Sequence, residues 1–223
     1  MAIRRSITEL KAKHFGQDIW VVVAGASMEY VDPEFFKNKI TIGVNQVYRQ
    51  FPCTYLVRKD APLSEEAALT GIPLIIAEHD GGGYANPKNE VSVDAWFFGH
   101  PDLDEGRVLP VDDTTALEVI GSDGLIVSHS TITTGLHAAA YLGAANIILC
   151  GHDGGTLDGK INYPGYHALE PTAAEDAYYR GWVRMIMYQT TMVRARLQKV
   201  YGCRIYTLNP FIGFLLDGHN FQP

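Results

Sequence analysis

The sequence predicts a doubly wound α/β fold built on a mainly parallel sheet. Three observations point there. Six short apolar runs are separated by stretches with helical patterning, the alternation that a parallel sheet with crossover connections requires. The runs are continuous rather than alternating, as suits strands buried on both faces. Several end in Gly, Ser, Asn or Asp, the residue types found where strands open onto a ligand cleft.

Taken in order, Ser6-Ile-Thr-Glu9 has the spacing of a capping box and opens a short helix that Gly16 closes. Strands are expected at Ile19–Val23, Ile40–Val44, Thr54–Val57, Leu74–Ala77, Ile147–Cys150 and Arg204–Thr207. Thr172-Ala-Ala-Glu175 is a second capping box. From it runs a long C-terminal helix whose stripe of Trp182, Met185, Ile186, Gln189, Val193, Leu197 and Val200 recurs at helical spacing, up to Gly202. That stripe reads as core rather than as cofactor contacts. Residues 78–112 and 151–171, rich in Gly and Pro, break the pattern and are expected as loop-built lids over the sheet's carboxyl edge. With no repeat and no linker, residues 1–223 read as a single domain.

Composition removes several function classes. With 47% hydrophobic and 19% charged residues the chain is a folded globular protein. A formal charge of −7 argues against nucleic acid as the main partner, since phosphate backbones call for a basic face. Cys53, Cys150 and Cys203 are widely spaced and odd in number, which favours a reducing compartment over a disulfide framework. No run is long enough to span a membrane and no secretory core is visible, so the expected location is the cytoplasm.

The candidate site is assembled from the strand ends. Gly25 permits close backbone approach after the first long strand, and Ser27 offers a hydroxyl there, for an anion or simply as a cap. Asn45 follows the next strand. Thr133, Thr134 and Gly135 stand where a helix should begin, so their hydroxyls and N–H groups suit a carboxylate or phosphate. Gly151 and Asp153 open the loop after Ile147–Cys150. His167, in the aromatic loop Asn162–His167, is the choice for acid/base work, because a histidine near neutral pH can deprotonate an acceptor hydroxyl. His137 reads as a packed core histidine. There is no G-x-G-x-x-G after the first long strand, no G-x-x-x-x-G-K-[ST] and no G-x-S-x-G, which weighs against NAD, a P-loop ATPase and a serine hydrolase. The eight histidines show no metal-ligand spacing, and Asp102-Leu-Asp104 reads as a solvated acidic loop, so no metal is expected.

Val23-Ala-Gly-Ala-Ser-Met28, Asn45-Gln46, Ile132-Thr-Thr-Gly135, Leu142-Gly143 with Ile147–Asp153, and Ile205–Pro210 resemble, in order, blocks of the bacterial family-42 sialyltransferases. They also resemble the related domain of flagellin-modifying motility accessory proteins. The resemblance implies a Rossmann-like domain with a lid, no metal and no cofactor, a nucleotide-activated sugar as donor, an unidentified acceptor, and by analogy a homo-oligomer. Gly25 and Ser27 would then approach the donor phosphate, and Asn45 the sugar or phosphate. Thr133, Thr134 and Gly135 would hold the sugar, and Gly151 and Asp153 the nucleoside. His167 would be the general base, with Tyr166 assisting phosphate departure. Val23 and Ala26 stand where that family has glycine and proline, and Thr131 where it has arginine. Two other readings stay open: an ATP- and Mg²⁺-dependent pyrophosphokinase of the pterin-diphosphate-synthase type, with Asp60 or Asp153 on the metal, and a non-catalytic nucleotide- or sugar-binding module.

Overall fold

The structure is a computed structural model and describes residues 4–58, 64–77, 92–97, 117, 120–126, 128, 130–167 and 172–208. Its strands are β1 (Arg4–Ser6), β2 (Asp18–Val22), β3 (Ile40–Val44), β4 (Tyr55–Arg58), β5 (Leu74–Ala77), β6 (Ser92–Phe97), β7 (Gly124–Leu125), β8 (Asn146–Cys150) and β9 (Arg204–Leu208). The helices are α1 (Ser64–Leu69), α2 (Thr131–Tyr141) and α3 (Ala173–Tyr201). The strands lie in the order β1-β6-β5-β4-β3-β2-β8-β9, with β7 on the far end of β6, and every described pairing is parallel. This is a Rossmann-like, doubly wound α/β fold. All six expected strands are present, each to within a residue at either end.

Three strands, β1, β6 and the two-residue β7, were not anticipated. β1 pairs with β6 in the register Arg4↔Ser92 and ends at Ser6, the residue expected to cap a helix; the helix itself is a 3-10 turn at Ile7–Leu10. β6 falls within residues 78–112, expected as a lid; its pairing with β5 makes Ser92–Phe97 part of the sheet. The rest of that segment lies outside the described residues, apart from the sheet strand itself.

The two faces of the sheet are covered differently. Ile19, Val21, Ile147, Leu149 and Ile205 point to one side, where they bury against Leu136, Ala139 and Ala140 of α2 and Val193 and Leu197 of α3. Trp20, Val22, Ile148 and Cys150 point to the other, the period-2 alternation of strands. Over β2, β3 and β8 that second face is roofed by 3-10 turns, at Ala26–Tyr30, Pro33–Phe36 and Asn45–Arg49, while over β4 and β5 Ala67 of α1 packs on Leu56 and Leu74. For the turn at Asn45–Arg49 the reason is length: β3 and β4 are joined by residues 45–54 alone, and a 3-10 turn rises about 2.0 Å per residue, against 1.5 Å for an α-helix.

α3 begins one residue after Thr172 and ends at Gly202, whose φ of +68° is the left-handed stop expected of glycine. Its core stripe is narrower than the periodicity implies. Val193 and Leu197 are fully buried, Val200 is 39% exposed, and Ile186 faces a cavity.

Candidate functional site

The strand order reverses at β2. From there the chain steps outward through β3, β4 and β5, then crosses back to place β8 and β9 on the opposite side. Open α/β sheets bind ligands outside the carboxyl ends of the strands at such a reversal. A cavity of about 690 Å³ lies there, within the range of small-molecule sites. Its walls are the ends of β2 (Val23, Ala24, Gly25) and β3 (Val44, Asn45, Gln46), the last residue of β4 (Arg58), the start of α2 (Ser130, Thr131, Ile132), the loop after β8 (Gly151–Gly155, Ile161, Asn162, Tyr166, His167), and Val183, Ile186 and Met187 of α3.

Gly25 and Gly151 hold the two central loops together. The Gly25 N–H donates to the Gly151 carbonyl at 2.9 Å, and a Cβ on Gly25 would sit 2.0 Å from that oxygen. Gly151 has φ +77°, and a Cβ there would come within 2.5 Å of the Val23 carbonyl. The close approach that Gly25 permits is therefore first to its neighbouring loop.

Ser27 is fully buried and does not border the cavity. Its N–H donates to Asp153 Oδ2 at 2.7 Å and its hydroxyl to Oδ1. It works on Asp153, which does border the cavity. Burial raises the Asp153 pKa, and the two bonds from Ser27 pull the other way.

The loop after β8, expected as a lid, is a packed wall as far as His167. Ala26 N–H donates to the Ile161 carbonyl at 3.0 Å and Tyr163 N–H to the Ala24 carbonyl at 3.1 Å. Edge-to-face rings then run from Phe36 through Phe51, Tyr163 and Tyr166 to His167, with centroid spacings of 5.7, 5.5, 5.5 and 4.7 Å. The Tyr166 hydroxyl donates to Gln46 Oε1 at 3.0 Å, tying this loop to the end of β3. His167 Nε2 lies 2.9 Å from the Asn162 amide nitrogen. Asn45 adopts φ +57°, a left-handed conformation that asparagine tolerates, and its buried Oδ1 has no hydrogen-bond partner among the described residues.

Thr133, Thr134 and Gly135 are not brought to the cavity. Ser130 is the N-cap of α2, its hydroxyl accepting from Ile132 N–H, so the helix starts at Thr131. That start turns the next residues toward the sheet. Thr133 bonds Ser128 and the Ser130 carbonyl, Thr134 donates to the Ile126 carbonyl at 2.9 Å, and Gly135 packs on Val44 and Val21. Ser130, Thr131 and Ile132 border the cavity instead. His137 is a core histidine: Nδ1 accepts from Ile126 N–H at 2.9 Å, Nε2 meets the Tyr201 hydroxyl at 3.0 Å, and burial pushes its pKa down to about 3.

The sequence places Gln46 at a strand end without a role, and gives no place in the site to Arg58 or the apolar α3 wall. Arg58 carried a signal, a cation ending the apolar run Tyr55–Val57. Among the described residues no three of His, Cys, Asp and Glu gather in one place. Asp60 lies outside them, and so do Asp102 and Asp104. No described helix is long and apolar enough to cross a membrane.

The fold and cavity define the class: a Rossmann-like α/β protein with a small-molecule cavity at the carboxyl edge of its sheet. Compared with known protein families, curated proteins and solved structures, the chain has no match.

Proposed function

We propose that this chain is a glycosyltransferase, similar in kind to the family-42 sialyltransferases, that transfers a sugar from a nucleotide-activated donor without using a metal. The observation that carries this reading is the convergence of His167, Tyr166, Asp153 and Asn45 on one cavity at the reversal of strand order. These side chains come from segments more than a hundred residues apart.

The cavity is divided in a way that suits such a donor. Val183, Ile186, Met187 and Ile132 offer an apolar surface for a base or sugar ring, while Asn45, Gln46, Asp153 and Asn162 offer hydrogen-bonding groups. In the reaction, an acceptor hydroxyl attacks the anomeric carbon from the face opposite the phosphate. The new C–O bond forms as the bond to the phosphate oxygen breaks, and the electron pair leaves with the phosphate. His167 takes the acceptor proton. The Asn162 amide N–H faces Nε2 at 2.9 Å, so Nε2 is the lone-pair nitrogen, and the acceptor hydroxyl takes the amide's place there as its proton is transferred. The Tyr166 hydroxyl donates to Gln46 Oε1, and in the reaction it exchanges that bond for one to the departing phosphate.

The test is turnover of CMP- and UDP-sugars followed by mass spectrometry. His167→Ala is expected to lower kcat by about 10²–10⁴ while leaving donor affinity within a few-fold. If no nucleotide sugar is bound or hydrolysed and His167→Ala changes nothing, the enzyme reading fails. Tight binding without turnover would assign a binding module, and turnover of ATP dependent on Mg²⁺ the pyrophosphokinase.

A further inference from the structure

We propose that Arg58 is the anion anchor of the cavity, gripping an oxyanion of the ligand, phosphate or sugar carboxylate, together with the first turn of α2. The inference rests on the nucleotide-sugar reading of the cavity and names the group by which the ligand is held.

Arg58 is the last residue of β4, so the strand delivers it to the carboxyl edge of the sheet. It is 1% exposed, the bulkiest fully buried side chain among the described residues, and borders the cavity. A guanidinium stays protonated across the whole physiological pH range, so this is a fixed charge in the cavity wall. Its planar fork matches two oxygens of a phosphate or carboxylate, a geometry that an ammonium lacks.

A second element points the same way. α2 packs against β3 and β4, and its opening residues Ser130, Thr131 and Ile132 border the same cavity. The amino terminus of an eleven-residue helix brings the positive end of the helix dipole to that wall, with the Ile132 N–H already held by the Ser130 cap. Asp153 is the one acidic side chain among the described residues of the wall, and its oxygens are turned to the N–H and hydroxyl of Ser27. A buried guanidinium and a helix amino terminus thus share one wall of the cavity, in which the carboxylate of Asp153 is turned to Ser27.

The experiment titrates CMP, UDP, inorganic pyrophosphate and free sialic acid into the wild-type chain, Arg58→Met and Arg58→Lys, with thermal midpoints measured alongside. If the phosphate is held, Arg58→Met weakens CMP, UDP and pyrophosphate at least tenfold and leaves sialic acid unchanged. If the carboxylate is held, the pattern reverses. Arg58→Lys keeps the charge without the fork and is expected to lose severalfold for the same probe, which carries the test if Arg58→Met does not fold. Equal affinity of wild type and both variants for every probe, or no probe bound by wild type, overturns the proposal. Pyrophosphate binding that depends on Arg58, with no nucleotide or sugar bound, would overturn the nucleotide-sugar reading while leaving the anchor.

Discussion

At the scale of single residues, the Ser27–Asp153 pair governs the polar wall of the cavity. Asp153 is buried, and burial raises its pKa above the ordinary carboxylate value of 3.8. A carboxyl whose folded-state pKa is raised favours folding most when protonated. That contribution is complete below pH 3.8 and is lost as the pH climbs through the raised value. Asp153→Asn keeps the shape and still accepts from the Ser27 N–H, while the serine hydroxyl can reverse to accept from the new amide. The variant is therefore expected to melt at or above the wild-type temperature at pH 7, with the gap closing as the pH falls toward 4. Thermal scans across that range check it; a variant that melts lower at pH 7 and recovers nothing in acid contradicts it. Asp153 was legible as a strand-end acid, but the role of Ser27 was not, because its partner lies 126 positions away in sequence. For Thr133 and Thr134 the helix start decided the matter: once Ser130 caps α2, helical periodicity turns their hydroxyls inward.

At the scale of elements, the two glycine loops at the ends of β2 and β8 are one unit. Gly25→Ala places a methyl group against the Gly151 carbonyl, a backbone atom that moves only with its whole loop. The substitution is expected to cost about 1–3 kcal/mol, as overpacking of a well-packed site does, and to lower the urea midpoint accordingly. An unchanged midpoint would mean that the loops are not in contact. The strands that flank these loops were readable because burial on both faces demands continuous apolar runs. β1, Arg-Arg-Ser, has no apolar run at all, and β6 lies in a Gly- and Pro-rich neighbourhood, so pairing partners rather than local sequence make them strands. The 3-10 turn at Asn45–Arg49 was equally hidden, since it follows from how few residues join β3 to β4.

At the scale of the whole molecule, topology makes the site. Reversal of strand order at β2 lets loops from both halves of the chain meet, and α3 closes the assembly with Val183, Ile186 and Met187. That α3 would be long and end at Gly202 was plain from its capping box and apolar stripe. That part of the stripe would face a cavity was not, because an apolar periodicity marks a buried face without saying what fills the space opposite. The central claim, that this cavity receives a nucleotide-activated sugar, is most directly tested by titration calorimetry with CMP- and UDP-sugars on the wild-type chain and Ile186→Trp, whose indole would occupy the cavity. The account predicts one molecule bound per wild-type chain and at least a tenfold loss of affinity in a folded Ile186→Trp variant. Equal binding by both, or no heat from any nucleotide sugar with the wild type, would contradict it.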